Sequence, residues 1–177
     1  MYDLDHRAEL APERAQDAPL VDSLIARAFG PGRFVKAAER LREGAHPILD
    51  LSFVAWVAGE AVGCVRLWPV RIGETPALLL GPFAVDAAHR GQGLGAALVR
   101  RACAAAAEAG HALILLVGDA DFFAPLGFSA ALARRVVMPG PVDRRRVLVL
   151  ALREGAADNL SGPARRPVRR DVQDKGA

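Results

Sequence analysis

Apolar residues recur at helical spacing between Ala18 and Phe29, with Leu20, Leu24 and Ala28 in one row and Val21 and Ile25 beside it. The spacing predicts a helix that Gly30-Pro31-Gly32 ends. Arg33 to Arg42 reads as a second short helix. The period then changes. Leu49 to Ala58 and Ala61 to Ile72 read as strands around a turn at Gly59-Glu60. After a turn at Gly73-Glu74-Thr75-Pro76, the run Leu78 to Val85 is almost continuously apolar, which suits a central strand covered on both faces. Residues 4–10 read as an opening strand. From Gly91 to Gly110 the helical period returns, with Leu94, Leu98, Ala102 and Ala105 forming the apolar stripe. A strand at His111–Val117, a short helix at Phe122–Leu126 and a last strand at Val147–Leu152 complete the chain.

Helices, hairpin strands, a long helix and further strands predict an α/β fold: a mixed, mostly antiparallel central sheet with helices on both faces. Gly81-Pro82 interrupts the central run. Proline gives no ladder hydrogen bond and glycine in a strand marks a bulge, so pairing should break there; an edge kink accounts for the two residues equally well.

Composition narrows the possibilities. The chain has 177 residues, 52% hydrophobic and 24% charged, enough for one domain with a sizeable core. A single domain over 1–153 is expected. From Glu154 onward Ala, Gly, Pro and Arg dominate, and 154–177 reads as a poorly ordered basic tail. The formal charge of +3 invites a polyanion, but Arg165, Arg166, Arg169 and Arg170 lie in that tail rather than on a helix face, which argues against nucleic acid. No apolar run is long enough for a membrane span, and Met1 to His6 lacks the order of a signal peptide. Cys64 and Cys103 make neither a disulfide framework nor a metal-ligand pattern. A cytoplasmic location and no metal are expected.

The chemistry concentrates in Arg90-Gly91-Gln92-Gly93-Leu94-Gly95-Ala96, between a buried strand and a long helix. The first turn of a helix has unpaired N–H groups and a partial positive charge. Glycines let a phosphate approach those donors, and Arg90 adds a fixed charge. The motif points to an anion, with diphosphate favoured; by itself it fits a tight turn equally well. Gly91, Gly93 and Ala96 also match a dinucleotide fingerprint. Against that, the loop Asp86–Arg90 separates strand from glycines, hairpins precede it instead of a βαβ unit, and too little chain follows.

Three stretches together are similar to the GNAT superfamily of N-acetyltransferases: Gly81-Pro82-Phe83-Ala84-Val85-Asp86, Arg90-Gly91-Gln92-Gly93-Leu94-Gly95, and Phe122-Phe123-Ala124-Pro125-Leu126-Gly127-Phe128. Arg90, Gly93 and Gly95 match its R/Q-x-x-G-x-G/A signature. The segments Ala28–Phe34 and Val117-Gly118-Asp119 resemble a bacterial branch whose acceptor is unassigned. The resemblance covers residues 20 to 150. It implies a sheet splayed at the Gly81-Pro82 bulge, with acetyl-CoA as co-substrate. Backbone groups of Phe83, Ala84 and Val85 would take the pantetheine arm. The N–H groups of Gly91, Gln92, Gly93, Leu94, Gly95 and Ala96 would take the pyrophosphate, with Arg90 beside it. A small-molecule or peptide amine would attack the thioester directly. A homodimer is compatible with this picture.

The chain departs from the family at Phe123, where a tyrosine commonly protonates the departing thiolate; its one tyrosine is Tyr2. A thiol with a pKa of about 8.5 still leaves tolerably as thiolate, so Phe123 would pack against the co-substrate and turnover would be slow. An alkyl amine with a pKa of about 10.4 must lose a proton to react. Asp119, Asp121, His89 and His111 are the candidate acceptors. Asp119 is best placed, though its side chain would equally serve to cap the next helix. Arg66 and Trp68 share a strand face that would suit an acidic or aromatic acceptor. The alternative to an N-acyltransferase is a non-catalytic acyl-CoA-binding or regulatory module.

Overall fold

The structure, a computed structural model, describes residues 8–30 and 37–167. Helix α1 spans Ala18–Phe29, the span that the apolar spacing predicts, and Gly30 closes it with φ +64°. α2 is Ala37–Arg40, ending in a turn before the expected Arg42; residues 33–36 of that expected helix lie outside the described residues. Strand β1 is Glu9–Pro12 rather than 4–10, of which residues 4–7 lie outside the described residues. β2 (Phe53–Val57) begins later than the apolar run, because Leu49–Leu51 form a 3₁₀ turn first. Ser52 anchors that turn: its buried hydroxyl donates to the Ile48 carbonyl at 2.8 Å and accepts from the Leu67 N–H at 3.1 Å.

β2, β3 (Glu60–Ile72) and β4 (Thr75–Val85) form two successive hairpins. Ala58 and Gly59 both take positive φ in the first turn, the requirement of the tight turn that matches strand twist. α3 (Leu94–Glu108) starts three residues after Gly91, on Gly93 with φ +80°. β5 (Leu113–Val117), α4 (Ala120–Phe123), β6 (Val136–Val137), β7 (Val147–Ala151) and β8 (Gly162–Arg165) follow. The main sheet runs β1-β2-β3-β4-β5-β7, antiparallel except where β5 joins β4 in parallel.

Strand alternation sorts the core into two faces. Val65, Leu67, Leu78, Leu80, Ile114 and Leu116 pack on one side with Leu98 and Ala102 of α3. Gly63 lets that helix sit close, since a Cβ there would lie 2.9 Å from Leu98. Trp68, Val70, Leu79 and Leu115 face the other side, toward α2, and Cys64 and Ala84 meet Val21, Leu24 and Ile25 of α1.

The segment expected to be a poorly ordered tail from Glu154 is packed as far as it is described. β8 pairs with the far end of β3, Arg71 opposite Arg165 and Ile72 opposite Ala164. Leu160 and Ala164 are buried. Arg165 donates to the Glu74 carboxylate at 2.6 Å, and Gly73 N–H to the Pro163 carbonyl at 3.0 Å. A composition of small and basic residues reads as disorder because it offers little apolar area; here edge pairing and a few well-placed small groups provide the order. Residues 168–177 lie outside the described residues.

Candidate functional site

The central feature is a break in pairing along β4. Val65 opposes Phe83 and Leu67 opposes Leu80, so the single residue Arg66 stands against the pair Gly81 and Pro82. This is the bulge expected from the sequence. On its other edge β4 meets β5 at Leu78↔Ile114 and Leu79↔Leu115, and beyond that the two strands part. The result is a cleft of about 700 Å³ walled by Leu80–Phe83 of β4, Leu116–Asp119 at the end of β5, and residues of α1 and α2.

Past the bulge, backbone direction follows from one bond. Asp86 N–H donates to the Val62 carbonyl on β3. Alternation then turns the polar groups of Phe83 and Val85 away from β3, into the gap left by β5, while Ala84 points to β3. The strand therefore presents an open edge of donors and acceptors there.

At the end of β4 the chain makes a 3₁₀ turn (Ala87–His89) capped by Asp86, whose carboxylate accepts from Ala88 N–H at 3.0 Å. Gly91 and Gly93 then take φ +76° and +80°, values only glycine adopts readily, and a Cβ at either would meet nothing within 4 Å. The loop side of the helix start is thus open. Ala97 N–H is the first to bond within the helix, to Gly93, which leaves the N–H groups of Leu94, Gly95 and Ala96 free of intrahelical partners. Gln92 is exposed and its amide reaches the Ala88 carbonyl at 3.5 Å. Arg90 does not simply extend: its Nε donates to the slot-facing Val85 carbonyl at 2.9 Å. Its terminal nitrogens have no partner among the described residues.

Phenylalanine rings link this loop to the cleft. Phe83 stacks on Phe122 with centroids 5.5 Å apart, and Phe123 meets Phe83, Phe122 and Phe128 edge-on. Gly95 allows the contact, since a Cβ there would fall 2.9 Å from the Phe83 ring. Gly118 does the same for Phe123, at 2.5 Å. Phe123 is buried in the core while also lining the cleft, as a packing residue would.

The structure separates the candidate proton acceptors. Asp119 lines the cleft; Asp121, His89 and His111 do not. Asp119 also caps α4, with Oδ1 accepting from Asp121 N–H at 3.0 Å. Among the described residues no three His, Cys, Asp or Glu side chains are grouped to hold a metal, and no helix is long and apolar enough to cross a membrane.

One constellation gave no sequence signal. Arg66 is buried at the bulge, with Nε 2.9 and 3.1 Å and Nη2 2.6 Å from the carboxylate oxygens of Glu13, itself buried. Its Nη1 donates to Asp22 Oδ1 at 2.8 Å. Burial works against the Arg66 charge, but the bonds to Glu13 and Asp22 prevail and hold its pKa above the usual value. The expectation that Arg66 greets an acidic acceptor is corrected by these bonds, because its fork is already filled. Its neighbour on that face, Trp68, is a buried cleft wall whose indole N–H is bonded to the bulge. Glu13 and Asp22 lie 53 and 44 residues from Arg66, too far for any local pattern to reveal.

A mixed sheet opened at a bulge, with a glycine-stripped helix start at the end of the opened strand, is the architecture of acyl-transferring N-acetyltransferases. Comparison with known proteins gives the family. The family model for the acetyltransferase (GNAT) domain matches residues 50–130. Uncharacterized N-acetyltransferase YhbS of Escherichia coli K12 is 30% identical over 149 residues, 82% of this chain and 88% of that protein. The crystal structure of YhbS from Escherichia coli in complex with CoA matches with a TM-score of 0.80 and 28% identity, over 94% and 93% of the two chains. A GNAT acetyltransferase from Brucella melitensis in complex with acetyl-CoA matches with a TM-score of 0.69 and 26% identity, over 92% and 97%. The chain belongs to the GNAT family of N-acetyltransferases.

Proposed function

We propose that this protein transfers an acetyl group from acetyl-CoA to a primary amine by direct attack, in the cytoplasm. The observation that carries this reading is the opened edge of β4: Phe83 and Val85 turn backbone groups into a gap beside the cleft, and the strand ends at the glycine-stripped start of α3. An extended pantetheine arm would pair with that edge as an added strand. The pyrophosphate would meet the N–H groups between Gly91 and Ala96, with the free nitrogens of Arg90 beside it. The CoA and acetyl-CoA complexes of the two structural relatives support the same co-substrate.

In the reaction, the amine nitrogen forms a bond to the acetyl carbon, the carbon–sulfur bond breaks, and the amine loses one proton. Asp119 is the cleft carboxylate with an oxygen left over from helix capping, and it is our candidate to accept that proton. Phe123 offers no proton to the thiolate, which takes one from solvent. General-acid help contributes a factor on the order of 10²–10⁴, so turnover should be slow.

The missing hydroxyl at Phe123 favours a second reading, a non-catalytic acyl-CoA-binding module. Calorimetry with acetyl-CoA, followed by thiol release across an amine panel, decides between them. Turnover by the protein, raised in Phe123→Tyr, supports the enzyme. Acetyl-CoA binding with no thiol release from either protein supports the module.

A further inference from the structure

We propose that Asp22 selects the acceptor, its carboxylate receiving a second cationic group of a small di- or polyamine while another amine of the same molecule reacts. This rests on the acyl-transfer reading above. The three charged groups Glu13, Arg66 and Asp22 carry a net charge of −1, and the structure puts the surplus on one of them. Glu13 fills the Nε–Nη2 edge of the guanidinium with both oxygens, and its side chain is 1% exposed. Asp22 takes one bond, through Oδ1, and its side chain is 60% exposed. Its Oδ2 has no partner among the described residues. Asp22 lines the cleft from α1, and Arg66, which holds it, is the β3 residue at the bulge. The carboxylate is therefore fixed beside the place where β4 opens.

The rest of the described wall does not offset it. Arg42 is held by Glu39 at 2.7 and 3.2 Å, and Arg146 turns its Nε to the Gly118 carbonyl at 3.3 Å. Asp119 adds a carboxylate, while that of Asp143 is paired with Arg145 at 2.8 and 3.1 Å. With the direct partners included, a chain with a formal charge of +3 has a described cleft wall that is net acidic, Glu13, Asp22, Glu39, Asp119 and Asp143 against Arg42, Arg66, Arg145 and Arg146. Asp119 is the carboxylate proposed above to take the proton of the reacting amine, and Asp22 is a different wall of the cleft, on α1. The group that Asp22 holds is therefore a second cation, which never has to lose its charge.

The test measures kcat/KM for butylamine, 1,4-diaminobutane and 4-aminobutanoate in the wild type, Asp22→Asn and Asp22→Glu. Calorimetry of 1,4-diaminobutane with CoA present accompanies it. A charge-assisted hydrogen bond lost from a partly exposed site changes binding by about tenfold. The diamine-to-monoamine ratio should fall by that factor in Asp22→Asn, through KM, and recover in part in Asp22→Glu. An unchanged ratio, a loss confined to kcat, or a wild type that prefers 4-aminobutanoate would overturn the proposal. If no amine is acetylated yet the diamine binds and Asp22→Asn weakens it, acyl transfer fails and the cation site stands. If the diamine neither binds nor reacts, the cation site is refuted.

Discussion

The Trp68 indole N–H donates to the Gly81 carbonyl at 2.6 Å, out of contact with water. This bond ties β3 to the bulge of β4 at the point where the ladder gives the Gly81 carbonyl no regular partner. Trp68→Phe keeps most of the ring and removes the donor. An orphaned buried acceptor costs about 1–3 kcal/mol, so the melting temperature should drop by several degrees. Acetyl-CoA affinity should fall with it. Unchanged values of both would mean that the bulge keeps its shape without the indole.

Gly93 tests the proposed pyrophosphate loop. Its φ of +80° strains any replacement, yet a Cβ there meets nothing within 4 Å. Gly93→Ala should therefore cost only backbone strain, roughly 1 kcal/mol. Gly93→Asp adds a negative charge beside the unpaired N–H groups of Leu94–Ala96. Calorimetry should show at least about a tenfold larger loss of acetyl-CoA affinity for Asp than for Ala, since one opposed charge at this range is worth about 1.4 kcal/mol or more. Equal losses would remove the phosphate from this loop.

The segment 154–167 should be needed for stability. Leu160 is 3% exposed and packs with Trp68, Val70 and Met138. Leu160→Ala should destabilise by about 2–5 kcal/mol. A chain ending at Arg153 should lose β8 as well and melt far lower, or fail to accumulate. A truncated chain that melts within a degree or two of the intact one would contradict this packing.

Cys64 gives a pH dependence. Burial is the main cause that pushes its thiol from an ordinary value of 9.0 up to about 12, partly offset by the nearby Arg66 charge. The folded protein keeps the thiol neutral while the unfolded chain ionises it. The contribution is complete below about pH 9 and is lost as pH rises from about 9 to about 12. Each pH unit in that window should cost about 1.4 kcal/mol. Denaturant midpoints from pH 8 to 11 should fall more steeply in the wild type than in Cys64→Ala. Equal slopes would show that the thiol does not contribute.

Local periodicity determined α1, most of β3 to β5 and the body of α3, because each buries one continuous face that its own spacing encodes. The bulge was legible in Gly81-Pro82 and the open glycine turn before α3 in Gly91–Gly95, since both depend on backbone conformations that the residue types themselves impose. The boundaries moved where a polar contact intervened, as with Ser52 at the start of β2. β8 was illegible because edge pairing and the burial of Leu160 and Ala164 depend on what β3 leaves uncovered, not on composition. The same holds for the ion group at the bulge. Nothing near Arg66 in the chain announces Glu13 or Asp22. Only folding brings β1's continuation, α1 and β3 together, takes Arg66 and Glu13 out of water, and leaves one carboxylate facing the cleft.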